Sequence, residues 1–192
     1  CHLGGSSSLC AIRDQQSVMT SMGMSPQTGI PHNNRVGDFD PFALPAIMQS
    51  TGKSLEEVLD ELANQGGLLG LSGVSGDVRD LQQAAAEGNE RARLALDLFV
   101  GEVRRYLGSL LVELGGAEAI VFTGGIGENS DEIRSRVCAD LQQLGIELDP
   151  AANVAANGES CISSPGSPTQ VWVVPTNEEL IVARQAQELL EG

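Results

Sequence analysis

Apolar and polar positions along the chain alternate between short strand-like runs and longer helical stripes. The runs at 9–12 and 17–20 predict two strands joined by the polar turn Arg13-Asp-Gln-Gln16. Residues 22 to about 40 are broken throughout by glycines and prolines and predict a long irregular loop, a kind of segment that is usually functional or disordered. Residues 41–49 predict a helix, and Ser54-Leu-Glu-Glu57 is a capping box that opens another, ending near Asn64. Residues 66–76, rich in glycine and serine, predict a turn region. From 81 to 114 the pattern is helical. Leu94, Leu98, Val103, Leu107, Leu110, Leu111 and Leu114 form its core stripe, with Glu90, Arg91, Arg104 and Arg105 off it, and Gly115-Gly116 ends it. A strand at 119–122, a helix to about Leu144, a polar stretch over 149–167 and a strand at 170–174 follow. The capping box Thr176-Asn-Glu-Glu179 opens the last helix. Strands alternating with helices predict a mixed α/β layered fold.

The segment Val121-Phe-Thr-Gly-Gly-Ile-Gly-Glu-Asn-Ser130 carries the strongest chemical signal. Its buried strand breaks into glycines at 124, 125 and 127, and Asn129 or Ser130 caps a charged helix. Such a turn lets backbone N–H groups approach a phosphate without Cβ obstruction, at the positive end of a helix. Many α/β turns carry glycines for tight packing alone, so the neighbouring motifs decide between the two readings.

The composition, 41% apolar and 19% charged over 192 residues, is that of one globular domain. Eleven basic against 26 acidic residues give a net charge of −15, which opposes nonspecific binding to nucleic acid or anionic membranes. An acidic protein that handles a phosphorylated ligand must concentrate its few arginines at the ligand. The cysteines at 1, 10, 138 and 161 have no metal-ligand spacing and imply no disulfide framework; reduced thiols in a cytoplasmic protein are the expectation. No run of 18 apolar residues and no signal-peptide pattern is present. Cys1-His-Leu-Gly-Gly reads as a strand running into a turn and not as a translation start, so the chain is expected to be cut from something longer.

Five elements stand in order: His2-Leu-Gly-Gly-Ser-Ser7, Arg35-Val-Gly-Asp-Phe-Asp-Pro41, Ser72-Gly-Val-Ser-Gly-Asp-Val-Arg-Asp80, Phe122-Thr-Gly-Gly-Ile-Gly-Glu-Asn129 and Pro175-Thr-Asn-Glu-Glu179. Together, over essentially the whole chain, they resemble the acetate kinase family, which includes propionate and butyrate kinases. The resemblance implies one lobe of the actin-like ATPase (acetate and sugar kinase) fold, an α/β unit with a ribonuclease H-like mixed sheet and flanking helices. Residues 1–192 would be the C-terminal nucleotide-binding lobe of a two-lobe enzyme, with the last helix, about 178–190, packing toward the N-terminal lobe.

The resemblance assigns His2, Leu3, Gly4, Gly5 and Ser6 to a turn that wraps the nucleotide phosphates. The family's His-Leu-Gly-Asn-Gly reads His-Leu-Gly-Gly-Ser here, so Gly5 replaces an asparagine amide and Ser6 a glycine; Ser6, Ser7 or Ser8 is left to supply a hydroxyl. Arg35 matches the arginine on the transferring phosphoryl group, a role suited to bidentate guanidinium donors; the alternative is an ion pair with Asp38 or Asp40. Pro31-His-Asn-Asn34 departs from the small residues usual before it, and His32 reads as a surface or loop histidine. Asp77, Val78 and Arg79 match the adenosine-binding loop, the guanidinium stacking on adenine; the alternative is a helix-capping aspartate paired with an arginine. Gly125, Ile126, Gly127, Glu128 and Asn129 match a second nucleotide contact. Glu178 matches a glutamate associated with Mg²⁺ (or Mn²⁺), or is a helix-dipole carboxylate, with Glu179 as the capping-box partner. Pro26 matches a wall of the acyl pocket.

The implied activity is Mg²⁺-dependent phosphoryl transfer between ATP and acetate, giving acetyl phosphate and ADP. It belongs to a cytoplasmic homodimer, with the isolated segment inactive. The alternatives are a propionate or butyrate kinase, and a noncatalytic nucleotide-binding module on the same fold.

Overall fold

The chain enters along the edge of a sheet, where β1 (His2–Leu3) lies beside residues 121–123 and the Leu3 N–H donates to the Thr123 carbonyl at 2.7 Å. A tight turn returns it as β2 (Ser7–Ser8), antiparallel, with Leu3 opposite Ser7. β3 (Cys10–Arg13) and β4 (Gln16–Thr20) form the expected hairpin, bulged between Ala11 and Ile12. The loop is shorter than the four residues expected: Asp14 and Gln15 alone turn the chain, both at positive φ (52° and 63°), as the twist of a two-residue hairpin requires. The computed structural model describes residues 1–191; the side chains of Glu178, Ile181 and Glu191 lie outside what it describes.

After the irregular segment and a 3₁₀ turn at Pro41–Ala43 come α1 (Leu44–Thr51), α2 (Leu55–Asn64), α3 (Gly67–Ser72), α4 (Val78–Ala86) and α5 (Glu90–Leu114). The capping box at α2 is formed reciprocally: Ser54 N–H donates to Glu57 Oε2 at 2.7 Å, and Glu57 N–H donates to Ser54 Oγ at 3.3 Å. Then follow β5 (Ala119–Phe122), α6 (Gly124–Asn129), α7 (Asp131–Val137), a 3₁₀ turn at Gln142–Leu144, α8 (Pro150–Ala155), β6 (Ser160–Cys161), β7 (Gln170–Val173) and α9 (Glu178–Glu191). β7 pairs parallel with β5 and antiparallel with β6, so the sheet is mixed, and β1 extends it past β5 through the His2–Thr123 bridge.

α5 is the spine of the core. Ala92, Leu96, Phe99, Val103, Leu107 and Leu110 face inward, and the helix packs on α3, α4, α7 and β3. Leu94 (57% exposed) and Leu98 (40% exposed) do not belong to the core stripe as expected. In this half of the helix the inward face follows Ala92, Ala95, Leu96, Phe99 and Val103 instead.

Four further boundaries differ from the sequence pattern. The glycine–serine region at 66–76 contains α3, because the His32 and Asn33 carbonyls accept from the Leu68 and Leu69 N–H groups at its start. The helix expected over 81–114 is two helices, divided by Gly88 (φ 94°) and restarted by Asn89, whose side chain accepts from Ala92 N–H. The glycine turn at 124–129 is itself helical, and of the two cap candidates Ser130 caps α7, which stops at Val137 and not near 144. At α9 it is Asn177, not Thr176, whose side chain accepts from a first-turn N–H, that of Leu180 at 3.1 Å. No helix among the described residues is long and apolar enough to cross a membrane.

Candidate functional site

Three motifs separated by some 70 and 45 residues of chain converge on one cleft of about 360 Å³. Gly4 and Gly5 from the β1–β2 turn form one wall; Asp77, Val78, Arg79 and Gln82 at the start of α4 form another; Gly125, Ile126, Asn129 and Ser130 of α6 and its cap form the third. Asn33, from the irregular segment, completes the lining.

The β1–β2 turn is held from below. Ser7 N–H donates to His32 Nδ1 at 2.7 Å, and the Ser7 hydroxyl closes the turn on Gly4, accepting from its N–H and donating to its carbonyl. Ser7 is therefore committed to the turn, and Ser6 is the exposed serine. His32 is not a surface histidine: it is 1% exposed, and burial, reinforced by the Arg35 charge, lowers its pKa below the ordinary 6.5. Because Nδ1 accepts, the ring proton of the neutral imidazole sits on Nε2, which is buried with no hydrogen-bond partner.

Arg35 follows on a backbone fixed by the His32 N–H to Arg35 carbonyl bond (3.1 Å), and its Nη1 donates to the Ser6 hydroxyl at 3.1 Å. Both carboxylates considered for an ion pair are engaged elsewhere. Asp38 accepts from Tyr106 (2.6 Å), Arg105 (2.7 Å) and the Gly29 N–H (2.8 Å), and Asp40 accepts from the Phe42 N–H. Desolvation alone would raise the Asp38 pKa, but those donors outweigh it and hold the carboxyl below its ordinary value.

Asp77 caps α4 by accepting from the Arg79 N–H at 2.8 Å, and it grips the same residue's guanidinium (Nη2 to Oδ2, 2.6 Å). That bond is the main reason its carboxyl titrates below the usual carboxylate range. The capping pair and the cleft lining are thus the same two residues, and Arg79 projects into solvent with its side chain 87% exposed. Gln82 ties this wall to the next through the Ser130 hydroxyl and Glu132.

At the third wall, Gly124 (φ 78°) packs so closely on β1 that a Cβ would lie 2.7 Å from the Leu3 carbonyl oxygen, whereas a Cβ at Gly125 would meet open space. One glycine seats the helix and the next opens it to the cleft. Glu128 points away: its Oε1 accepts from the Gly124 N–H and from the Thr176 N–H and hydroxyl, fixing the entry to α9. Gly127 is buried against Phe122. Beneath α6 lies Arg134, 2% exposed, donating to the Gly127 and Glu128 carbonyls and to Asn153.

Of the residues expected at the site, Gly4, Gly5, Asp77, Val78, Arg79, Gly125, Ile126 and Asn129 line the cleft; Ser6 and Arg35, bonded to each other, are not among its lining residues. Leu3 is in the core, His2 sits at the sheet edge, and Pro26 is exposed on the irregular segment. Glu178 opens α9, but its side chain lies outside what the structure describes. Asn33, Gln82 and Arg134 have no motif of their own; for Asn33 the unusual 31–34 segment was the only sequence signal. Among the described residues, no group of three or more His, Cys, Asp or Glu converges as a metal cage. A Mg²⁺ held by ligand phosphates, waters and one carboxylate needs none.

A mixed sheet with flanking helices and a cleft walled by glycine-backed turns is the arrangement of one lobe of the actin-like ATPase fold. Residues 1–184 match the acetokinase family, and the chain belongs to it. It is 47% identical to an acetate kinase of Anoxybacillus flavithermus, over 98% of this chain and 48% of that protein. It is 50% identical to a propionate kinase of Yersinia enterocolitica, over 96% and 44%. The crystal structure of Porphyromonas gingivalis acetate kinase superimposes with a TM-score of 0.92 at 37% identity, covering 98% of this chain and 48% of that one. The chain spans about half the length of the curated relatives it matches.

Proposed function

We propose that the full-length protein is an acetate kinase, in which residues 1–192 form the C-terminal nucleotide-binding lobe. The observation that carries this reading is the convergence of the three motifs on one cleft, with Arg35 bonded to Ser6 of the turn that forms one wall. An acetate oxygen attacks the γ-phosphorus of ATP in line, its bond to phosphorus forming as the bond to the ADP oxygen breaks; acetyl phosphate leaves, and the reverse step regenerates ATP. The protein contributes by positioning and by charge. Arg35, oriented by Ser6, donates to the equatorial oxygens of the transferring group. Asp77 and Arg79 hold the adenosine, Gly5, Gly125 and Asn129 border the phosphates, and Pro26 borders the acyl group. Glu178 would hold the divalent metal, Mg²⁺ or Mn²⁺, which when bound neutralises phosphate charge.

α9 packs toward the N-terminal lobe, a reading supported by its exposed Leu180, Val182, Leu189 and Leu190. The enzyme is a cytoplasmic homodimer.

Hydroxamate formation by the full-length protein with Mg-ATP and acetate, propionate or butyrate tests the proposal. Acetate is expected to give the highest kcat/KM, and the 192-residue chain alone is expected to give no turnover. Equal or better use of propionate or butyrate would reassign the substrate. ATP binding without turnover on any of the three would replace the kinase by a nucleotide-binding module.

A further inference from the structure

Asn33 is held in place through the backbone of its own segment. Its carbonyl accepts from the Leu69 N–H at 2.8 Å, and the adjoining His32 and Asn34 carbonyls accept from the Leu68 and Gly66 N–H groups. Gly76 presses on it from the other side: a Cβ there would lie 2.5 Å from the Asn33 oxygen and 2.9 Å from its Cβ. The side chain leaves this clamp toward the β1–β2 turn, where a Cβ built on Gly5 would lie 3.5 Å from Nδ2. That is ordinary contact distance, so a side chain longer than alanine's that extends from position 5 toward Asn33 would meet the carboxamide. The carboxamide lines the cleft together with Gly4, Gly5, Gly125 and Asn129. Among the described residues, no protein group hydrogen-bonds to it.

A rigidly mounted amide with free donors, facing a cleft between two glycine-backed walls, is suited to an anionic oxygen. Arg79, the arginine that lines the same cleft, is paired with Asp77. We infer that the Asn33 carboxamide donates to a phosphate oxygen of the nucleotide bound in this cleft, and that Gly5 lacks a side chain to leave that amide room. The two unusual stretches of the sequence, Gly5-Ser6 and 31–34, are then one feature: a donor that residue 5 does not supply arrives from across the turn. The inference rests on the nucleotide-cleft reading above.

Calorimetric titration of full-length protein with ATP, ADP and adenosine tests it, using wild type, Asn33→Ala, Asn33→Asp, Gly5→Asn and the double variant Gly5→Asn/Asn33→Gly. Losing one hydrogen bond to a charged group should weaken ATP or ADP roughly ten- to hundredfold in Asn33→Ala, with adenosine affinity unchanged. Asn33→Asp keeps the shape, removes the donors and adds like charge, so its loss should be larger. Gly5→Asn alone should also weaken ATP by crowding, and the double variant should recover most of it, because the new amide enters vacated space. Asn33→Ala and Asn33→Asp that leave ATP affinity intact, or weaken adenosine equally, would overturn the inference, as would simple additivity in the double variant. Wild type that binds none of the three ligands would overturn the nucleotide cleft itself.

Discussion

Arg134 is a buried cation that never touches the cleft, and replacing it with methionine isolates what it does for the wall above it. Its Nε and Nη2 donate to Asn153 Oδ1 (2.7 Å) and Asn153 O (2.8 Å), and its Nη1 donates to the carbonyls of Gly127 (2.9 Å) and Glu128 (2.8 Å). Those two carbonyls end α6, where the helix has no further N–H of its own to offer. Methionine fills much of the arginine's aliphatic volume but leaves four acceptor contacts without their donor, at a site where the residue is 2% exposed. Bonds to a charged donor contribute about 1.5–3 kcal/mol each and do not add, and removing the charge recovers part of its burial penalty; the net loss should be about 3–5 kcal/mol. In a domain of this size each kcal/mol lowers Tm by about 2–4 °C, so a fall of about 6–20 °C is expected in the unfolding transition of this lobe. Thermal unfolding of the full-length protein followed by circular dichroism measures it, and hydrogen exchange should show faster opening at residues 124–130. ATP affinity should drop as well, since Gly125, Ile126 and Asn129 sit on the loosened helix. A Tm within about 2 °C of wild type would refute the claim that Arg134 holds α6 in place.

Three further outcomes are expected. Arg35→Ala should lower kcat by about 10²–10³-fold, as for other lost electrostatic donors, and Arg35→Lys should restore little, since an ammonium cannot span two oxygens; near-normal kcat in both variants would make Arg35 structural only. Asp77→Ala and Arg79→Ala should raise the KM for ADP and ATP with kcat preserved, as the proposed contact with the nonreacting adenosine requires. Asp77→Ala should also cost about 1 kcal/mol of stability through the lost cap at α4; a kcat collapse at constant KM would move both residues to the phosphoryl centre. For His32, burial lowers the folded pKa below the ordinary 6.5, so the unfolded chain takes up the proton first as pH falls. The stability it contributes is complete above pH 6.5 and is lost as pH falls toward and through the folded value. Tm measured from pH 7.5 to 5 should decline more steeply in wild type than in His32→Gln; parallel curves would show that His32 does not carry this dependence.

The sequence by itself determined the elements whose hydrogen bonds are local and the family to which the chain belongs. The β3–β4 hairpin and the reciprocal Ser54–Glu57 cap of α2 follow from apolar runs and turn residues a few positions apart, as do the strands β5 and β7 taken singly, though not their parallel pairing. The motifs at 4–5, 77–79 and 125–129 were legible for the same reason: each is a short run of neighbouring residues, two of them glycine turns and one a capping aspartate with its arginine. Tertiary structure decided what depends on partners distant in sequence. α3 begins where it does because carbonyls over 30 residues earlier cap it, and His32 is buried because Ser7, 25 residues away, donates to its ring. Leu94 and Leu98 are exposed because α5 turns the face of Ala92, Ala95, Leu96, Phe99 and Val103 to its neighbours, a choice that the leucine stripe alone does not reveal. Glu128 turns from the cleft because the backbone of Thr176, 48 residues on, offers it an N–H. The pairing of Asn33 with Gly5 has the same origin. A composition pattern records which residues prefer water, helix or turn, but the partner of a buried polar group is set only when distant segments are brought within about 3 Å of each other.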